Sequence, residues 1–150
     1  MKLVNNEVRG FTDYIRLTAA DMIAIGSGNS RVIATIPVGG SVDMVGVINT
    51  VDIVGSSSLV VDIGITGTPS ALISAMDVDA QVVNLPLYNT GTDFVQAVAT
   101  TTFKGGALPV RAVSVATPVL LRVTDAALAT ITAGEIFVVL RILDPLTLNQ

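Results

Sequence analysis

Apolar and polar positions alternate with a period of two along most of this chain. Leu59, Val61, Ile63 and Ile65 share one parity, while Val60, Asp62 and Gly64 share the other. This is the mark of a strand with one buried face. Gly67-Thr68-Pro69-Ser70 is expected to stop it, because proline cannot donate to a ladder. A short apolar segment, Ala71 to Met76, follows, and Asp77-Val78-Asp79 closes the unit.

Upstream, residues 1–9 are polar with no sustained period and read as an N-terminal arm preceding a single domain over 10–150. Phe11 to Leu17 predicts a short strand with Phe11, Ile15 and Leu17 on one side. Thr18 to Asp21 reads as a turn or one helical turn, after which Ile23 and Ile25 resume the extended pattern. Gly26 to Ser30 is a loop. Arg31 to Ile36 alternates Val32, Ala34 and Ile36 against Arg31, Ile33 and Thr35, and ends at Pro37.

Ser41 to Val54 is the longest extended stretch, and both its faces are apolar. Val45, Val47, Val51 and Ile53 lie on one; Val42, Met44, Ile48 and Val54 lie on the other. A strand covered on both sides explains this. One face meets the core, and Val42, Met44, Ile48 and Val54 are expected at a subunit interface. Residues 81–108 are looser, with Phe94 to Val98 as one possible short strand.

Val110 to Thr117 and Val119 to Thr124 are β-branched runs separated by Pro118. Asp125 to Thr132 reads as a loop or short strand. Glu135 to Leu143 alternates Ile136, Val138, Leu140 and Ile142 against Phe137, Val139, Arg141 and Leu143. Some eight to ten short strands with regular turn signals predict an all-β fold, an antiparallel, jelly-roll-like β-sandwich.

Composition narrows the function. Hydrophobic residues make up 51%, charged residues 13%, and mean hydropathy is +0.72. The longest uncharged run, Ile63 to Met76, contains Gly64, Gly67 and Pro69. It falls short of the roughly 20 apolar residues of a spanning helix. With 4% aromatics and no Trp, the girdles of an outer-membrane barrel are missing too. No membrane partner is expected. The absence of Cys rules out disulfides and thiolate metal sites. The absence of His removes the commonest general base and metal ligand. From Val32 to Phe103 there are six acids and no base, whereas the rest carries net +2. An acidic middle disfavours nucleic acid.

Several side chains bear chemistry without framing a site. Asp77 and Asp79, with Asp62 and Asp93, carry oxygens suited to calcium, but the EF-hand spacing is absent and solvated loop carboxylates explain them as well. Glu7 and Glu135 lack the framing of a glycosidase pair. Gly26-Ser27-Gly28 has no following Lys or helix and reads as a hairpin loop, not a phosphate loop. Arg16, Arg31, Arg111, Arg122 and Arg141 sit within predicted strands. They belong to a solvated face, or pair with the acidic middle of another subunit.

The order Ile36-Pro37-Val38-Gly39, a long apolar strand, a Ser-rich turn, LVVDIG, GTPSALI, DVDA and finally ITAGEIFVVLRILDP covers Arg31 to Pro145. It resembles the small β-sandwich head decoration, or cement, proteins of tailed bacteriophages. The resemblance implies a non-enzymatic virion protein on the outer capsid surface. It implies a homotrimer at local three-fold positions that locks neighbouring subunits of the major capsid protein together, with no cofactor. On this reading Leu3, Val4, Val8 and Arg9 of the arm are the expected capsid contacts. The alternative is a carbohydrate- or receptor-binding module of a phage fibre, for which Tyr14, Tyr88, Phe94 and Phe103 are the candidate stacking residues.

Overall fold

The computed structural model describes residues 11–91 and 111–144. The arm, Glu7, Asp93, Phe94, Phe103 and the strand expected at Phe94 to Val98 lie outside these. Among the described residues, nine strands form two antiparallel sheets. They are β1 (Asp13–Thr18), β2 (Ser30–Ile36), β3 (Ser41–Val54), β4 (Val60–Ile65), β5 (Thr68–Asp77), β6 (Pro86–Tyr88), β7 (Arg111–Ala112), β8 (Thr117–Thr124) and β9 (Ala133–Leu143). The first sheet runs β1-β9-β3-β6, with β7 also on β3; the second runs β2-β8-β4-β5. Thus β1 pairs with β9, β2 with β8, β3 with β6 and β4 with β5. Strands that pair in this nested order form one long hairpin, wound up with its tip at β4–β5. The result is the all-β antiparallel sandwich that the punctuation predicts.

The core lies between the sheets. Val45, Val47, Ile136, Val138 and Leu140 face Val61, Ile63, Val119, Leu121 and Val123, all inaccessible to solvent. The alternation expected for β9 is observed. Elsewhere β-bulges shift the parity, since one inserted residue moves every following side chain to the other face. In β3 a register shift lies between Val42 and Met44. Val42 therefore joins Val45 and Val47 in the core at 0% exposure and is not an outward interface residue. A shift between Val32 and Ala34 likewise turns Val32 outward instead of beside Ile36.

Four local expectations are corrected. Ala19–Ile25 is a helix, α1, so Ile23 and Ile25 are helical. The Thr18 hydroxyl accepts from the Asp21 N–H, and the Asp21 carboxylate accepts from the Thr18 N–H. This is a capping box, written with Asp in place of the usual Glu. The Gly26–Gly28 loop consequently joins a helix to β2 and not two strands. Pro69 does not end a strand but lies inside β5, an edge strand where its missing N–H deprives no neighbour. Pro118 lies within β8, opposite Thr35 of β2 and one residue beyond the last β4 partner, Val119. One side of the backbone is free there, so the ladder loses nothing. Leu128–Thr130 is a single 3-10 turn. No helix among the described residues is long and apolar enough to cross a membrane.

Candidate functional site

The outer face of the β1-β9-β3-β6 sheet carries the most distinctive surface. Register sets its side chains in rows. Arg16, Phe137, Ile48 and Pro86 cross the sheet in one row; Tyr14, Val139, Gly46 and Tyr88 form the next. Tyr14 stacks on Phe137 with ring centroids 4.7 Å apart, and Phe11 stacks on Tyr88 at 6.2 Å. Every aromatic residue among the described residues therefore gathers on this one face. Gly46 is the reason Tyr88 can lie flat across the sheet. A Cβ there would meet the Tyr88 ring and a Val139 methyl. Aromatic pairs of this kind contribute about 0.5–1.5 kcal/mol beyond area burial.

Ion pairs border the apolar rows. Arg16 donates through Nε to Glu135 at 2.6 Å, and Arg141 grips both Asp43 oxygens at 2.7 and 2.8 Å. The Arg16 hydrogen bond holds the Glu135 carboxyl below its ordinary range, against burial, and Thr50 assists. Burial first, then the Glu135 charge, raises the Tyr14 phenol. On the other sheet Arg122 binds Asp62 directly opposite it, at 2.8 Å. Asp43 and Asp62 of the acidic middle are thus matched to arginines within the same chain. This corrects the expectation that those arginines pair across subunits.

The expected interface residues separate. Met44 and Ile48 are half-buried on the outer face described above, Val54 is 48% exposed at the far end of β3, and Val42 is interior. The structure adds exposed Val82, Val83 and Leu85, just before β6 on the same edge. Their clustering comes from the β3–β6 pairing, which the irregular spacing of 81–88 does not advertise. Phe137 was legible, because its parity opposes Ile136 and Val138.

The calcium candidates do not converge. Asp62 is committed to Arg122 and to the Ala75 N–H, while one Asp77 oxygen accepts from the Asp79 and Ala80 N–H groups. Among the described residues no group of three or more acids stands ready for a metal. Asp125, which sequence reasoning passed over, is a buried junction. It accepts from the Ser57 hydroxyl at 2.8 Å and from the N–H groups of Ser57, Ser58 and Ala127, while its own N–H donates to Ser27. Burial pulls its carboxyl upward, but the bonds from Ala127, Ser57 and Ser58 outweigh this and hold it low.

No protein-family model matches the sequence, and no curated protein matches it. Among solved structures, a chain of the cyanophage Pam1 capsid asymmetric unit is similar in fold. It is 17% identical with a TM-score of 0.59, over 88% of this chain and 82% of that one.

Proposed function

We propose that this chain is a non-enzymatic virion structural protein that decorates a phage capsid and clamps neighbouring subunits of the major capsid protein. The observation that carries this reading is the likeness of the whole sandwich to a chain of a phage capsid. The described carboxylates support it: Asp43, Asp62 and Glu135 serve ion pairs, while Asp21, Asp77 and Asp125 brace backbone N–H groups. None of these six is left over for acid–base work.

The clamp is a homo-oligomer, a trimer on the outer capsid surface. Met44, Ile48 and Val54 form its subunit contact, joined by Tyr88 and Leu85. Met44, Ile48, Tyr88 and Leu85 lie along one face and its edge, with Val54 at the far end of the same strand, and charge is scarce at interface cores. Leu3, Val4, Val8 and Arg9 of the arm contact the major capsid protein, and repeated weak contacts give avidity. A fibre-type sugar site is less favoured, because Tyr14 and Tyr88 each already have a ring face covered by Phe137 or Phe11.

Cryo-electron microscopy and protein mass spectrometry of particles from the encoding phage test the reading. The expected result is a fixed ratio of this chain to the major capsid protein, with density at outer three-fold positions. Absence from particles, or a location only on tail or fibre, refutes it.

A further inference from the structure

Eleven large hydrophobic side chains are exposed among the described residues, and most of them are grouped. Six follow β3 along its outer face and the β6 edge, the face proposed above as the subunit contact: Val51, Val54, Val82, Val83, Leu85 and Tyr88. Three others gather where β3 begins. Val38 is 59% exposed and Val115 66%, with Leu143 beside them. Backbone bonds tie these three segments into one apex. The Gly39 N–H donates to the Val113 carbonyl, the Val113 N–H donates to the Gly40 carbonyl, and Leu143 pairs with Ser41. Gly40 lets them close, since a Cβ there would meet the Pro37 ring and sit 2.9 Å from the Leu143 carbonyl oxygen. Ile23, on α1, and Val32, on β2, stand apart.

The apex is also short of charge. Residues 32–42 and 112–121, which supply both of its turns, contain no Asp, Glu, Lys or Arg. Its two exposed valines can therefore be covered by a partner without stranding a charge of their own segments, the step that makes burial costly. On the β3 face the charges beside Met44 and Ile48 are already paired, Asp43 with Arg141 and Glu135 with Arg16. The two surfaces are separated along the strand. From Ser41 to Val54, β3 runs 14 residues, so the apex and the exposed valines at its end lie roughly 40 Å apart.

Symmetry decides what such a pair of surfaces is for. A patch that meets its own copy makes an isologous contact, which closes at two chains. A three-fold ring is heterologous, so each copy must offer two unlike surfaces. The outer face of β3 is one of them. We propose that the Val38–Val115 apex is the other, and that it docks on the β3 face of the next copy around the ring. This rests on the trimeric reading above and supplies the second half of its contact. Apart from the face itself, the apex is the one place among the described residues where exposed large hydrophobic side chains cluster, and clustered apolar surface marks a contact where single exposed residues do not.

Two full-length variants test this. Val38→Lys/Val115→Lys puts charge on the apex, and Ile48→Lys puts the same charge on the face. Circular dichroism checks that each keeps the wild-type strand spectrum, and Val115→Lys alone is the milder second apex variant. By analytical ultracentrifugation the wild type should sediment at three times the 15.4 kDa chain mass, and each variant alone at one chain mass. The two are then mixed in equal amounts, at the highest concentration where each alone is a single chain. A species of twice the chain mass is expected. The intact face of the apex variant takes the intact apex of the face variant, and the two charged surfaces left over stop further growth. Apex variants that stay at the wild-type mass overturn the proposal and leave the face as a subunit contact. A mixture that stays at one chain mass also overturns it, because the apex then acts elsewhere than on the face. A wild type of two chains means that the face meets itself, which refutes both the trimer and the proposal. A wild type of one chain refutes the oligomeric reading as a whole.

Discussion

Replacing Asp125 with alanine removes the carboxylate that ties the Ser57–Ser58 loop to the turn at Ala127, while the backbone N–H bond to Ser27 is kept. The side chain is 4% exposed and accepts from the N–H groups of Ser57, Ser58 and Ala127 and from the Ser57 hydroxyl. A hydrogen bond to a charged group contributes about 1.5–3 kcal/mol, and an orphaned buried donor costs about 1–3 kcal/mol. Four bonds on one carboxylate do not add independently. A loss of about 3–5 kcal/mol therefore follows for alanine, and about 1–3 kcal/mol for asparagine, which keeps one acceptor oxygen. For a domain of this size each kcal/mol moves Tm by about 2–4 °C, so alanine should lower it by roughly 6–20 °C.

The pH dependence has a definite sign. The folded carboxyl is held below its unfolded value, so its stabilisation is complete above the unfolded pKa, about 3.9. It fades as pH falls through the lower folded value. Chemical denaturation of wild type and both variants from pH 7 down to pH 2 measures this. The gap between wild type and Asp125→Asn should be widest near neutrality and close in acid. A loss below about 1 kcal/mol for Asp125→Ala at neutral pH, too small for orphaned buried donors, would refute the reasoning.

Other perturbations probe separate parts of the fold. Gly64→Ala places a Cβ against the backbone of Thr68 and Pro69, where the β4–β5 hairpin folds back; backbone cannot move aside cheaply, and denaturation should show a loss of about 1–3 kcal/mol or more. Thr18→Ala breaks the capping box of α1 and should cost about 0.5–2 kcal/mol by the same measurement. Ile48→Lys, on the half-buried outer face of β3, should leave secondary structure by circular dichroism unchanged while analytical ultracentrifugation shows a smaller species; an unchanged mass would remove Ile48 from the subunit contact.

Alternation was enough to fix the class of fold and the inward residues of β4 and β9, because a two-residue period needs only local information. Ile136, Val138, Leu140 and Ile142 face the core as their parity says. Position-dependent events were not legible. The bulges that turn Val42 inward and Val32 outward depend on which partner residue each strand meets, and no window of sequence contains its partner. Pro69 and Pro118 look like strand breaks until the sheet shows that one side of the backbone is free at each. The Thr18–Asp21 capping box was a local signal, hidden because Asp stands where Glu is usual and the helix runs only seven residues. The doubly apolar character of β3 was visible in its residues. What covers its outer face was not: the aromatic rows arise only when register sets Tyr14, Phe137, Ile48 and Tyr88 side by side. The arginines were placed on strands by sequence, but their partners Glu135, Asp62 and Asp43 lie 119, 60 and 98 residues away. Only the winding of the hairpin brings such charges within reach, and it does so within one chain.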